Sequence, residues 1–392
     1  MHTYPVKESF SLCENTPVLR YFEVFFASPR RALLTFIALH SAVLLLIPRE
    51  PAFQVEIFRD YAVKLFSGLL PYADFAYEYP PLSLIILALP GPFADYPVLY
   101  AFLFGLEMLL LDVLILYCLS RIGTRPVILY GVGFLLFWRL PFIRHDLAMV
   151  AATAAGAALL LRGRALWAGF LWGLGGALKL YPMVAAPALA FGAGLREAIK
   201  RWAVAGAVFV LGIAWGFAAF GTETVYFLTY HADRPAMVES IPANIQLLLP
   251  EHEVIHSYGS FNVVGPWSGP LVGLFEAIQI ATVGIALLAG FLRRDAVFGA
   301  AAAIFAFAVF GKVLSPHFLL WPLPLLALCR FRHERLTWGL YFAAIALTTF
   351  INGEYWAIEG NLPYFTFLLT VRNLLLLPLF VLILLPQKEK KG

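Results

Sequence analysis

From residue 32 onward the chain alternates long apolar runs with short polar turns. The runs 32–48, 97–119 and 364–385 each hold roughly the 17–25 residues that a helix needs to cross a bilayer core. Further apolar runs cover 82–94, 126–142, 147–161, 165–178, 182–195, 202–220, 269–292, 296–311, 316–329 and 337–351. Basic residues punctuate alternate turns: Arg162 with Arg164, Arg196 with Lys200 and Arg201, Arg293 with Arg294, and Arg330 with Arg332 and Arg335. Lys and Arg accumulate in cytoplasmic loops, so the pattern predicts an all-α bundle of about twelve membrane crossings with both termini in the cytoplasm. An even number of crossings must separate residues 53–82 from Asp146, so one intervening run fails to span. Pro90-Gly91-Pro92 breaks 82–94, whereas Pro80-Pro81 suits a helix start and would make 126–142 the exception.

Three parts follow: a cytoplasmic segment 1–31, an integral membrane domain 32–386 and a basic tail 387–392. Arg30-Arg31 precedes a long first span with no small-residue cleavage pattern, so that span should remain as an anchor. Composition agrees, with 61% hydrophobic residues, only 13% charged and a mean hydropathy of +0.81. The net charge of +4 fits loop bias and not nucleic-acid binding. Cys13, Cys118 and Cys329 have no metal or redox spacing.

Against this sparing use of charge, the stretch 53–82 carries Glu56, Asp60, Asp74 and Glu78. Phe53, Ile57, Tyr61, Lys64 and Leu65 within it fall at helical spacing, which predicts an amphipathic helix lying on the membrane surface. On the same predicted side lie Arg144, Asp146, Lys179, His231, Asp233, Arg234, Glu239, Lys312 and His317. Charges at span ends are costly unless they bind something. Carboxylates can accept a proton from a hydroxyl while cations stabilise a departing phosphate. Arg372, inside the last run, should face protein or a bound headgroup, the alternative being a buried pair with an acid such as Glu276.

Several motifs resemble glycosyltransferase family 87. Pro71-Tyr72-Ala73-Asp74-Phe75-Ala76-Tyr77-Glu78-Tyr79-Pro80-Pro81 is similar to its PYxDFxxEYPP signature. Arg144-His145-Asp146-Leu147, Ala177-Leu178-Lys179-Leu180-Tyr181-Pro182, Tyr230-His231 through Arg234 to Glu239-Ser240, and Lys312-Val313-Leu314-Ser315-Pro316-His317 match further pieces in order. The resemblance implies a GT-C type transmembrane bundle whose first extracytoplasmic loop carries amphipathic helices. It implies an inverting transfer of a hexose, mannose in particular, from a polyprenyl-phosphate donor to a glycan or glycolipid acceptor outside the cytoplasm. Asp74, Glu78 and Asp146 are the expected catalytic residues. Glu56, Asp60, Arg144, Lys179, Tyr181, His231, Arg234, Glu239, Lys312 and His317 are the expected donor or acceptor ligands, with no cofactor or metal. Family members commonly carry an Asp about seven residues before the counterpart of Tyr61, and this chain has Gln54 there. A neutral amide cannot take a proton, so a neighbouring carboxylate, first Asp74, must serve, or activity has changed.

Two other function classes remain open: a secondary transporter or lipid-linked sugar flippase, and a non-catalytic lipid-binding relative. Transporters place ionisable groups near mid-membrane and carry inverted repeats, neither of which is evident. His252-Glu253-Val254-Ile255-His256 is a formal HExxH, but Pro250 and Gly259 leave too little room for the helix that a zinc protease requires. Gly173, Gly175 and Gly176 lie in an apolar run and suit close helix packing.

Overall fold

The structure is a computed structural model that describes residues 28–47 and 53–386; the expected cytoplasmic segment up to residue 27, Cys13 and the tail 387–392 lie outside the described residues. The apolar runs become helices. Six are long and apolar enough to cross a membrane: α1 (Pro29–Leu46), α4 (Pro97–Ser120), α8 (Leu195–Phe220), α11 (Ser268–Arg293), α14 (Glu334–Gly353) and α16 (Leu362–Leu384). Pro29 and Pro97 start their helices, where the missing N–H has no intrahelical partner to lose. Asn361 caps α16 by accepting from Tyr364 N at 3.2 Å.

The remaining apolar segments are shorter. α5 (Thr124–Leu136), α6 (Leu147–Leu161), α7 (Ala165–Leu178) and α12 (Ala296–Phe310) have 13–15 residues. At 1.5 Å per residue they rise only about 20–23 Å, short of a hydrocarbon core of about 30 Å. Tyr181–Ala190 and Pro316–Leu320 are 3₁₀ turns, the latter leading into α13 (Leu323–Leu328). Hence length and composition support six crossings, with six shorter apolar segments among them, where about twelve were expected. The short helices lie inside: nearly every side chain of α12 is buried, whereas α8 and α11 expose most of theirs. A helix apolar all round belongs in a protein interior. Its broken ends are tolerated at membrane depth only when they face protein or a cavity.

Neither candidate run forms a spanning helix: 126–142 yields only the 13-residue α5 and a 3₁₀ turn at Leu140–Phe142, and 82–94 is more broken still. The latter contains only 3₁₀ turns at Pro81–Ser83 and Gly91–Phe93 around the five-residue α3 (Leu84–Ala88). α2 (Phe53–Phe66) is amphipathic as expected, but it does not simply lie on a surface. Val55, Phe58 and Ala62 are buried in the core, and Arg59 Nη1 donates to Ala94 O at 2.9 Å.

Small residues set the helix spacing. A Cβ on Gly169 or Gly173 of α7 would stand 2.7 Å from Arg201 O or 2.3 Å from Ala205 O of α8. At the end carrying the arginine-rich turns, guanidinium groups satisfy terminal carbonyls. Arg125 Nη1 donates to Ala327 O at 2.7 Å and pairs with Glu334. Arg293 Nη2 donates to Leu384 O at 2.6 Å, and Arg201 Nη1 to Leu189 O at 3.0 Å. Arg372 faces protein, but not Glu276: it is buried, its Nη2 donates to Glu239 O at 2.6 Å, and Glu276 pairs with Lys312.

The all-α expectation misses a three-stranded antiparallel sheet in the long polar loop. After α9 (Tyr226–Asp233), β1 (Ala236–Met237) is followed by α10 (Ile241–Leu247), β2 (Glu253–Ser257) and β3 (Ser260–Val264). The order is β1-β3-β2, with Met237 opposite Asn262 and Ile255 opposite Asn262 across the other edge. Val254, Ile255, Phe261 and Val263 are residue types that fill a pleated surface, and Tyr258-Gly259 makes the tight turn. Glu253 to His256 thus lie in a strand, with His252 before it, so the histidines share no helical face.

A buried polar trio escapes sequence reasoning because each member sits in a different apolar run. His40 Nδ1 meets Asp112 Oδ2 at 2.6 Å, and Tyr130 donates to Asp112 Oδ1 at 2.7 Å, tying α1, α4 and α5 together. Removing one partner of a buried pair costs about 3–5 kcal/mol, against about 0–1 kcal/mol for an exposed pair. Asp112→Ala should therefore lower the melting temperature of the detergent-solubilised protein sharply. Asp60→Ala, which breaks the exposed Asp60–Lys64 pair, should leave it within a degree or two.

Candidate functional site

Four chain breaks meet at the end opposite the arginine-capped one: the turn 70–81, the bend before α6, the junction after α7 and the break after α12. A cavity of about 610 Å³ opens where they meet. α2 contributes Gln54, Phe58 and Tyr61; the breaks contribute Glu78, Tyr79, Arg144, Lys179, Tyr181, Lys312, His317 and Trp321. α9, its C-cap and the sheet region add Tyr230, His231, Arg234, His256, Tyr258 and Ser260; the end of α14 adds Asn352, and the turn between it and α15 (Ala357–Gly360) adds Tyr355.

Behind one wall lies Asp146, only 1% exposed. Its Oδ1 accepts from Lys179 Nζ at 2.8 Å and from Trp321 Nε1 at 2.7 Å. His317 Nε2 stands 3.3 Å from Oδ2. Burial pulls Asp146 towards its neutral form, but His317 and Lys179 hold it well below the usual carboxylate range. Burial lowers the adjacent His145 to about 3, and neither of its ring nitrogens has a hydrogen-bond partner among the described residues. The Lys179 ammonium also lies 5.1–5.5 Å from the ring centres of Tyr79, Phe318 and Trp321. Tyr181 and Trp321 stack with centroids 4.0 Å apart and an interplanar angle of 1°.

The signature turn before the first 3₁₀ break is built around aromatic side chains. Tyr72 has φ +71°, an uncommon conformation for a bulky residue, and its hydroxyl donates to Tyr79 O at 2.7 Å. Tyr77 is wholly buried, its hydroxyl 2.6 Å from Ser83 Oγ. Tyr79 then reaches His145, ring centres 4.4 Å apart. Asp74 serves the turn from outside: it is exposed, and its Oδ2 accepts from Leu70 N at 2.7 Å. Glu78, four residues on, faces the cavity, and with burial it pushes the Tyr230 phenol up. Among the described residues Glu78 has no ion pair.

The cavity thus gathers Glu78, Arg144, Lys179, Tyr181, His231, Arg234, Lys312 and His317, with Asp146 directly behind. It does not gather Asp74, Glu56 or Asp60. Glu56 pairs with Arg59 at 2.8 Å and Asp60 with Lys64 at 2.6 Å, one helical turn away along α2. Lys312 Nζ donates to Ala232 O at 2.8 Å and stands 3.5 Å from Glu276. Gln54 lines the cavity where the family resemblance places an acid. Sequence reasoning missed Trp321, one helical turn beyond His317 and marked by that spacing alone. It also missed Tyr355, which nothing in the sequence marks.

Glu239 is wholly buried behind Tyr355, whose hydroxyl donates to its Oε1, and Oε2 has no partner among the described residues. Burial raises Glu239 to about 7, with Arg372 and the Tyr355 hydrogen bond opposing. The folded state therefore keeps a proton on Glu239 that the unfolded chain releases above about 4.5. Its contribution to stability falls as pH rises from about 4.5 to about 7 and is level above that. Glu239→Gln removes this penalty. Melting curves from pH 4.5 to 8 should show the variant gaining on the wild type up to about pH 7, with no further gain beyond.

No curated protein matches the chain. The model of glycosyltransferase family 87 matches residues 77–316, from Tyr77 in the signature turn to the residue before His317. That match covers more than half of the chain and includes Glu78, Arg144, Asp146, Lys179, Arg234 and Lys312, and the protein belongs to glycosyltransferase family 87.

Proposed function

We propose that this membrane glycosyltransferase moves a hexose, mannose by the family resemblance, from a polyprenyl-phosphate donor to an acceptor hydroxyl, with inversion at the anomeric carbon. The reaction takes place on the extracytoplasmic side of the cell membrane, with both termini in the cytoplasm. The arginine-rich turns at the end opposite the cavity support that orientation. The carrying observation is the cavity itself, which gathers Arg144, Lys179, Arg234 and Lys312 with Glu78, a carboxylate that has no ion pair among the described residues.

Glu78 takes the proton from the acceptor hydroxyl as its oxygen attacks the anomeric carbon. The bond from that carbon to the phosphate oxygen breaks, and the phosphate leaves with the electron pair. Fixed cations opposite the leaving oxygen stabilise this charge without rearranging. Arg144 is the better clamp, because its planar fork gives two parallel hydrogen bonds to phosphate. Lys179 acts as a point charge aimed by Asp146. An acid held as far down as Asp146 makes a poor general base, which favours a positioning role over a catalytic one. Asp74 is a turn residue in this scheme, and Glu56 and Asp60 are helix-surface acids.

Purified protein with polyprenyl-phosphate-mannose and an alkyl mannoside should yield an α-linked product by mass spectrometry and NMR; a β-linked product refutes the inverting scheme. Glu78→Gln should lower kcat by about 10²–10⁴-fold, the usual range for a general base. Asp74→Asn should change it less than twofold. The reverse order would assign the base to Asp74. Asp146→Asn should raise donor KM and lower the melting temperature together, since it frees a buried ammonium; an effect on kcat alone would contradict its positioning role.

A further inference from the structure

The outer wall of the cavity carries a strained aromatic residue that local structure does not explain. β2 and β3 pair Ser257 with Ser260, leaving Tyr258-Gly259 as a two-residue turn. Both residues have positive φ, +52° and +64°. Such a turn favours Asn or Gly at its first position, and a tyrosine there is held in a disfavoured backbone conformation. Strain of this kind persists where neighbours over-determine it, and it points to function.

The neighbours are present. Tyr258 packs edge-to-face on Tyr230, with centroids 5.0 Å apart, and both rings line the cavity. Arg234 Nη2 donates to Ser260 Oγ at 2.6 Å, locking the hairpin to the end of α9. Asn262 Nδ2 donates to Ser257 O at 2.6 Å across the turn. His256 stands edge-on to Phe261 at 5.4 Å on the same wall. The result is a rigid aromatic corner with a guanidinium and an imidazole at its rim.

A pyranose ring presents C–H groups on its faces and hydroxyls around its edge. The corner is complementary to that shape: rings take the C–H face, and Arg234 and His256 take edge hydroxyls. Tyr230 also borders Glu78, the proposed base. We propose that Tyr258 and Tyr230 are the residues that select and orient the acceptor, its terminal sugar ring stacking on them with a hydroxyl towards Glu78. This assignment deepens the transferase scheme above and rests on it for the acceptor role.

The test separates strain from function, because a purely structural residue should be improved by substitution. Tyr258→Asn relaxes the turn, Tyr258→Gly does so with no side chain, and Tyr258→Phe keeps the ring. Saturation-transfer NMR with methyl α-mannopyranoside is recorded on each protein in detergent, alongside its melting temperature and its turnover of polyprenyl-phosphate-mannose. The subsite predicts clear transfer to the sugar ring protons in wild type and Tyr258→Phe. It predicts at least a fivefold loss in Tyr258→Asn at a melting temperature equal to or above wild type, with Tyr258→Gly reporting the same loss should the Asn variant not fold. Equal transfer in the Asn or Gly variant, or none in wild type, overturns it. Donor turnover with no sugar contact removes the subsite and leaves the transferase scheme standing. Sugar contact through Tyr258 without donor turnover supports the subsite and removes that scheme.

Discussion

Everything at the cavity depends on one buried ion pair, between the Asp146 carboxylate and the Lys179 ammonium. Burying two charges is expensive, and their attraction compensates only with close geometry and further hydrogen bonds. Both conditions are met, at 2.8 Å, with the Trp321 indole as a second donor. The pair joins three helix breaks distant in sequence: the start of α6, the end of α7 and the 3₁₀ turn at Pro316–Leu320. Without it, three loose chain ends would face one another at membrane depth with their polar groups unmatched.

The breaks themselves follow from helix length. An interior helix of 13–15 residues ends before the membrane does, and the chain must turn where water is scarce. Such a turn needs partners for its freed backbone and charged groups. Here the turns supply partners to one another and enclose a polar cavity in doing so. The longer helices carry no such break and form the outer wall, set close by glycines such as Gly173 against Ala205. At the opposite end the same backbone problem is solved differently, with arginines donating to terminal carbonyls. Those arginines thus act as caps for the carbonyl ends of neighbouring segments.

Carboxylates show how position overrides composition. Four acids stand between residues 53 and 82, and by sequence alone Asp74 is the first candidate for the base, with Glu78 beside it. The αL turn at Tyr72 sends Asp74 outward to cap Leu70, while Tyr77 and Tyr79 anchor the next residues inward and bring Glu78 to the cavity. Glu56 and Asp60 are spent on ion pairs one helical turn away.

The sequence by itself determined the apolar helices, the arginine-marked turns and the family, because hydrophobic runs and short motifs are local properties. It also marked most of the charged cavity residues, since charge is rare in this chain and each charged residue at a span end stands out. Tertiary structure alone decided the rest. Which runs are too short to span depended on where each helix ends against its packed neighbours. The His40–Asp112–Tyr130 trio and the Glu239–Tyr355 contact join residues 18 to 116 positions apart, and no local pattern encodes such distances. The sheet in the long loop arose from pairing between strands too short to leave a period. Side-chain direction, which separates Glu78 from Asp74, is fixed only when the backbone around it is folded.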